Sequence, residues 1–263
     1  MKNIDEFNST AWPKIEFVLT DIDDTLTNEG LLHPEAYSSL WALKKAGIHV
    51  IPVTGRPAGW CELIARQWPV AGVIGENGGF YFNYAHSEMQ RWYALSESVR
   101  NENQKKLQII QQQILKEIPE SKVASDQFCR QMDLAIDFCE DIPRLSDSQI
   151  QRIVEIFQEH GATAKVSSIH VNGWFGQYNK VTTAFEFLKN KFNLTPDQAR
   201  QKCIFVGDSP NDEPMFQDFP LTFGVSNVLE FANQMKHKPQ FYAHQKGGAG
   251  FREITEKILN YSN

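Results

Sequence analysis

Ile15-Glu16-Phe17-Val18-Leu19-Thr20 runs directly into Asp21-Ile22-Asp23-Asp24-Thr25-Leu26-Thr27. The first six residues are apolar and β-prone, and the spacing predicts a buried strand. A buried strand that stops at three carboxylates within four residues is unusual. Carboxylates this close repel one another, and leaving them all ionised at a buried strand end costs free energy. A bound divalent cation removes that cost. Oxygen ligands at a tight site suit Mg²⁺, which takes one or two carboxylates, several waters and substrate phosphate. A capped turn with solvated acids is the alternative reading.

The same pattern recurs along the chain. Ile48 to Val53 reads as a second strand and ends at Thr54-Gly55-Arg56-Pro57. A helix to about Gln67 and a short strand from Val70 to Ile74 follow, ending at Gly75-Glu76-Asn77-Gly78-Gly79. Between the first two strands, Ala36, Leu40 and Leu43 mark a helix, with Pro34 near its start and Gly47 just past its end. After Lys180 the stripe Val181, Ala184, Phe185, Leu188 and Phe192 predicts another helix. Cys203-Ile204-Phe205-Val206 is a buried strand ending at Gly207-Asp208-Ser209-Pro210-Asn211-Asp212. A strand over 221–225, a helix over 227–235, a strand over 240–243 and a helix over 250–259 complete the series. Strand–helix alternation with short loops predicts an α/β fold with a parallel, Rossmann-like sheet. In such sheets ligands bind beyond the carboxyl ends of the strands, where the polar clusters converge.

Between these halves the character changes. Phe80-Tyr81-Phe82 and Arg91-Trp92-Tyr93 read as a hairpin, and 96–118 as a long polar helix. Strands are expected over 127–132, 134–138, 164–167 and 169–172, with an amphipathic helix over 147–160. The expected organisation is a core made of 1–84 and 177–263, with an inserted α+β cap domain at 85–176. His170, Asn172, Trp174 and Phe175 are expected on a cap loop facing the core, contacting substrate or packing at the hinge. The other six histidines are scattered without ligand spacing.

The chain has 263 residues, 41% hydrophobic and 22% charged, with a net charge of -6. Eighteen Phe, six Trp and seven Tyr exclude a disordered chain. No basic stripe supports nucleic-acid binding, and no apolar run approaches a membrane span. Four scattered cysteines without a C-x-x-C pair read as reduced thiols of a cytoplasmic protein. Monomer and homodimer both remain open.

The clusters combine into one chemistry. Thr54 and the Gly55 amide form a small anion cradle, and Lys180 at a helix start adds a cation to the favourable N-terminus. Carboxylates for a metal, a hydroxyl, a lysine and free amides make a phosphate site. One Asp can attack phosphorus and form an aspartyl phosphate; the other can protonate the leaving oxygen and then deprotonate water.

This set resembles the haloacid dehalogenase-like phosphohydrolases. Their four motifs stand in order: Asp21-Ile22-Asp23-Asp24-Thr25-Leu26-Thr27, Val53-Thr54-Gly55-Arg56, Lys180, and Gly207-Asp208-Ser209-Pro210-Asn211-Asp212. An α+β insert between the second and third motifs looks like a type-IIB cap. That group contains Cof-like and sucrose-phosphatase-like enzymes, trehalose-phosphatase-like and mannosyl-phosphoglycerate-phosphatase-like enzymes, and phosphomannomutases. Gly247-Gly248-Ala249-Gly250-Phe251 also looks like this group.

The resemblance implies a Mg²⁺-dependent phosphatase of a small phosphorylated metabolite, with a sugar phosphate the expected substrate. Asp21 is then nucleophile and metal ligand. Asp23 is the acid/base, with its carbonyl on the metal. Thr54 and Gly55 hold the phosphoryl group, and Lys180 neutralises it. Asp208 and Asp212 bind the metal or its waters, and Asn211 touches phosphate. Arg56 and Asn77 are expected to reach substrate; a structural ion pair for Arg56 and a turn for Asn77 are the alternatives. Asp24 stands where the family often has Gly. A sugar phosphomutase with the same aspartyl phosphate, and a non-catalytic phospho-Asp or metal-binding module, are the competing functions.

Overall fold

The computed structural model describes residues 1–8, 12–167 and 169–259. In chain order the elements begin with β1 (Lys2–Asn3), β2 (Phe17–Thr20), β3 (Thr27–Asn28), β4 (Leu31–Leu32), α1 (Pro34–Lys45), β5 (His49–Pro52) and α2 (Ala58–Gln67). There follow β6 (Val73–Gly75), β7 (Phe80–Ala85), β8 (Glu88–Tyr93), α3 (Glu97–Glu117), β9 (Lys122–Val123), β10 (Asp133–Asp137), α4 (Asp147–Glu159), β11 (Thr163–Val166) and β12 (His170–Trp174). The chain closes with α5 (Lys180–Phe192), α6 (Pro196–Lys202), β13 (Cys203–Gly207), α7 (Glu213–Asp218), β14 (Thr222–Gly224), β15 (Phe241–Tyr242) and α8 (Gly247–Leu259).

Six strands form one sheet in the order β1-β15-β14-β13-β2-β5, and every pairing in it is parallel. The α/β Rossmann-like core is therefore present as expected. Successive strand residues point to opposite faces, so Phe17 and Leu19 join one apolar cluster, with Phe187 and Leu188 of α5. Val18 joins the other, with Leu40 of α1 and Ile254 of α8. Both faces are covered, which is why these strands read as unbroken apolar runs.

The cap is a four-stranded sheet, β11-β12-β10-β9, with antiparallel pairing. Leu107, Ile110 and Ile114 of α3 and Ile150, Ile153 and Phe157 of α4 pack in a cluster with Leu134, Ile136 and Val171 of that sheet. Among the described residues no helix is long and apolar enough to cross a membrane.

Three expectations need correction. The hairpin is β7–β8, paired from Phe80↔Tyr93 to Ala85↔Glu88, so a boundary between 84 and 85 cuts it. It extends β6, which bridges to the core strand end through Val53↔Ile74, so residues up to 93 stay with the core. The strand expected over 127–132 is instead a single 3-10 turn, Gln127–Cys129, and a loop. The helix expected over 227–235 is a 3-10 segment, Ser226–Phe231.

One glycine fixes where α5 begins. Gly78 has φ +102, and a Cβ there would lie 2.2 Å from the Asn179 carbonyl oxygen and 2.9 Å from the Lys180 nitrogen. The Thr183 hydroxyl also donates to the Gly78 carbonyl at 2.6 Å. Gly78→Ala is expected to cost about 2 kcal/mol or more and to displace Lys180. Urea unfolding checks it, and an unchanged midpoint would contradict this seating of the helix.

Candidate active site

The sheet register brings the acidic motifs together. Thr20 pairs with Val206, so Asp21, one residue on, and Asp208, two residues on, leave neighbouring strands at the same edge. The Asp21 amide donates to the Val206 carbonyl at 2.9 Å, continuing the ladder into the loop. Thr20 also pairs with Pro52, which puts Thr54 at the end of the next strand. Gly207 leaves room for Asp212: a Cβ there would stand 2.4 Å from Asp212 Oδ2.

Ligand oxygens of Asp21, Asp208 and Asp212 all lie within 4.8 Å of one another, and all three residues are buried. Lys180 Nζ donates to Asp21 Oδ1 at 2.9 Å and to Asp212 Oδ1 at 2.8 Å. Asp212 Oδ2 accepts from the Asp208 amide, and Asp208 Oδ1 from the Thr25 hydroxyl at 3.0 Å. Burial pushes the Asp21 carboxyl up to about 8; Lys180 opposes this, while Asp212 and Asp23 add to it. Burial, then Asp212, Asp21 and Asp24, push Asp208 well above the carboxylate range. Burial works against the Lys180 charge, yet Asp21 and Asp212 hold its pKa above the ordinary value.

One lysine does not offset three buried carboxylates. The all-oxygen donor set fits a small hard cation such as Mg²⁺.

Thr54 is fully buried, and its Oγ1 accepts from the Arg56 amide at 3.0 Å. Asn77 has φ +56, and its amide N–H donates to the Thr54 carbonyl at 3.1 Å. Its side chain lies against Gly55, and its Nδ2 has no protein partner. Asn77 thus makes the expected turn, with an unspent donor beside Gly55. Asn211 Oδ1 accepts from the Ser209 hydroxyl at 2.8 Å, and both residues line a cleft over the site. Asp24 sits at φ +56, a left-handed conformation that glycine adopts most easily.

Arg56 departs most from its expected role as a substrate contact. Its Nε lies within 3.0 Å of both Asp23 carboxylate oxygens, and Nη2 donates to Asp23 Oδ1 at 2.8 Å. Nη1 donates to Glu140 of the cap at 3.0 Å. The structure therefore gives Arg56 the ion-pair alternative.

The cap forms the other wall. The cleft of about 20 Å³ is lined by Asp21, Asp23, Gly55 and Arg56 from the core and by Arg130, Ser167, Ile169, His170 and Asn172 from the cap. That is room for little more than one water. His170 and Asn172 face this cleft from β12. Trp174 does not: it is buried in the core cluster and stacks on Tyr178, with ring centroids 5.9 Å apart. Phe175 packs in the cap cluster. The loop expected to carry these four residues is mostly strand.

Sequence reasoning missed the residues that fasten cap to core. Glu76 is fully buried and accepts from the Ala58 amide and from the amides of Gln131, Met132 and Asp133. Arg130 donates to the Gly55 carbonyl and pairs with Asp126 and Asp133. Nothing local in the sequence around Arg130 marks this network, because its partners meet only in the fold.

The Glu140 pair is expected to make stability acid-sensitive. The His170 ring and then the Arg56 charge, against partial burial, hold Glu140 down at about 2. A folded-state value below the unfolded one means stability that is present at neutral pH and lost as pH falls through the folded value. From about pH 5 to about pH 2 the wild type should therefore lose more stability than Glu140→Gln. Thermal melts across that range test it, and parallel curves would contradict the pair.

Residues 18–127 match the family model of haloacid dehalogenase-like hydrolases. No curated protein sequence matches the chain. Solved structures share the fold across nearly the whole chain. A Thermoplasma acidophilum protein is 18% identical with a TM-score of 0.72, covering 94% of this chain and 99% of its own. The Synechocystis sucrose-phosphatase, solved with sucrose and phosphate, is 16% identical with a TM-score of 0.63, covering 94% and 98%. A haloacid dehalogenase-like hydrolase from Bacteroides thetaiotaomicron is 15% identical with a TM-score of 0.67, covering 93% and 100%.

Proposed function

We propose that this protein is a Mg²⁺-dependent phosphatase of small phosphate monoesters, with a sugar phosphate as its substrate class. The observation that carries this is the Lys180 ammonium held between Asp21 and Asp212, with Asp208 within ligand distance of both. The sucrose and phosphate held by the Synechocystis sucrose-phosphatase support the sugar phosphate class.

Asp21, Asp208 and Asp212, with the Asp23 carbonyl, would hold Mg²⁺, which when bound offsets charge on the phosphoryl oxygens. Asp21 attacks phosphorus while the bond to the ester oxygen breaks. The departing electron pair takes its proton from Asp23. Water then attacks the aspartyl phosphate, gives a proton back to Asp23, and frees Asp21 and inorganic phosphate. Thr54, the Gly55 amide and Lys180 orient and neutralise the phosphoryl group; Asn211 and Asn77 offer further polar contacts. Cap closure over the site excludes water. The proposed setting is the cytoplasm, acting on diffusible metabolites.

The experiment is phosphate release from a panel of phosphorylated metabolites, with Mg²⁺ and with EDTA. Selective, EDTA-sensitive release from hexose phosphates is expected. Isomerised monophosphate in place of free phosphate would overturn the phosphatase reading in favour of a mutase.

A further inference from the structure

We propose that Glu140, on the cap loop after β10, is a positioning residue that fixes Arg56, and through it Asp23, when the cap sits on the core. This rests on the phosphatase reading, in which Asp23 moves the proton.

The Arg56 side chain is only 5% exposed. Asp23 takes Nε and Nη2, and the guanidinium carbon lies 4.4 Å from the centroid of the Trp60 ring. That leaves Nη1 pointing at the cap. Glu140 completes it at 3.0 Å, with Asp126 farther off at 3.8 Å. A planar fork gripped on both edges and one face has a single orientation, and so therefore has the carboxylate it grips.

The cap holds Glu140 in place to do this. Asp137, 1% exposed at the end of β10, accepts from the Cys139 amide at 2.8 Å, the Glu140 amide at 2.7 Å and the Asp141 amide at 2.9 Å. These three bonds brace the loop that presents Glu140. Its second oxygen lies 2.9 Å from His170 Nε2 on β12, close enough for electrostatic contact but not aligned as a hydrogen bond. A braced polar chain thus runs from the cap interior to Asp23. With the cap lifted, Arg56 loses its outer partner and Asp23 its fixed placement, so proton transfer is assembled only in the closed state.

The test compares wild type, Glu140→Gln and Glu140→Asp on a hexose phosphate and on p-nitrophenyl phosphate. The hexose oxygen needs a proton to leave; p-nitrophenolate does not. For Glu140→Gln, kcat on the hexose phosphate is expected to fall about 10- to 100-fold, with a smaller change in KM. On p-nitrophenyl phosphate the first turnover should stay near the wild-type rate, giving a burst of about one nitrophenolate per site before slow hydrolysis. Glu140→Asp should restore part of the loss.

A direct readout needs no turnover. The Arg56 Nε–H should exchange slowly with solvent in the wild type and faster in Glu140→Gln, by ¹⁵N NMR. Equal loss on both esters without a burst, wild-type rates on both, or unchanged Arg56 exchange would overturn the assignment. A wild type inert on every ester would instead count against the phosphatase reading, and the exchange measurement would still decide the Arg56–Glu140 coupling.

Discussion

Asp21→Asn is expected to lower Mg²⁺-dependent phosphate release by about 10⁴-fold or more without lowering the melting temperature in metal-free buffer. Few catalytic substitutions separate activity from stability so cleanly, and the reason is local. Burial, with Asp212 and Asp23 nearby, pushes the Asp21 carboxyl up to about 8 despite Lys180. The folded state therefore binds this proton more tightly than the unfolded chain does. Stability then falls as pH rises from the unfolded value of 3.8 toward 8. An amide of the same shape cannot ionise and still offers an oxygen to Lys180. The variant should therefore gain on the wild type as pH rises through that window. Added Mg²⁺ should raise the wild-type melting temperature more than the variant's. Melting curves in EDTA at several pH values, beside turnover assays, test all three statements. Retained turnover would remove Asp21 as the nucleophile, and a large drop in melting temperature would mean that its charge is structurally required.

The strand ends that build this site were readable in the sequence because both faces of the parallel sheet are buried. Such strands appear as uninterrupted apolar runs, and Phe17–Thr20 and Cys203–Gly207 end where the run meets an acid or glycine. The register that sets Asp21 beside Asp208 follows from adjacent parallel strands ending at one edge. The cap was less legible. Residues 127–132 carry Phe128, Cys129 and Met132, a β-like composition, but strand propensity counts only where a neighbouring strand offers pairing. Here β10 pairs with β9 and β12 instead. Phe128 stays 90% exposed, while the 131–133 backbone turns toward Glu76. Arg56 illustrates a second limit. That it pairs with an acid could be guessed, but Asp23 lies 33 residues away, and Glu140, 84 residues away, meets it only through the folded cap.

Glu76→Ala should be the most destabilising single change at the domain junction, costing about 3–5 kcal/mol. The Glu76 carboxylate has no exposed surface and receives four backbone amides: Ala58 at 2.9 Å from the core, and Gln131 at 3.0 Å, Met132 at 2.5 Å and Asp133 at 3.1 Å from the cap. Burial pushes its pKa up to about 8, with Asp133 adding to this; Arg130 and the amide donors pull the other way. Its backbone sits at φ +44, an arrangement held by the bonds the side chain makes. Alanine would leave all four donors without an acceptor, each at a cost of about 1–3 kcal/mol before relaxation. Whole-domain stabilities are only about 5–15 kcal/mol, so the loss is a large fraction of the total. The relief available is separation of cap from core, which frees the 131–133 amides to water. Arg130 would then release the Gly55 carbonyl, and the Thr54–Gly55 loop would lose its brace. Urea unfolding, with hydrogen exchange at residues 131–133, measures both effects. A cost below about 1 kcal/mol with unchanged exchange would mean that the cap is anchored elsewhere; the expected pattern is fast exchange at those three amides while the amides of β2 and β13 stay protected.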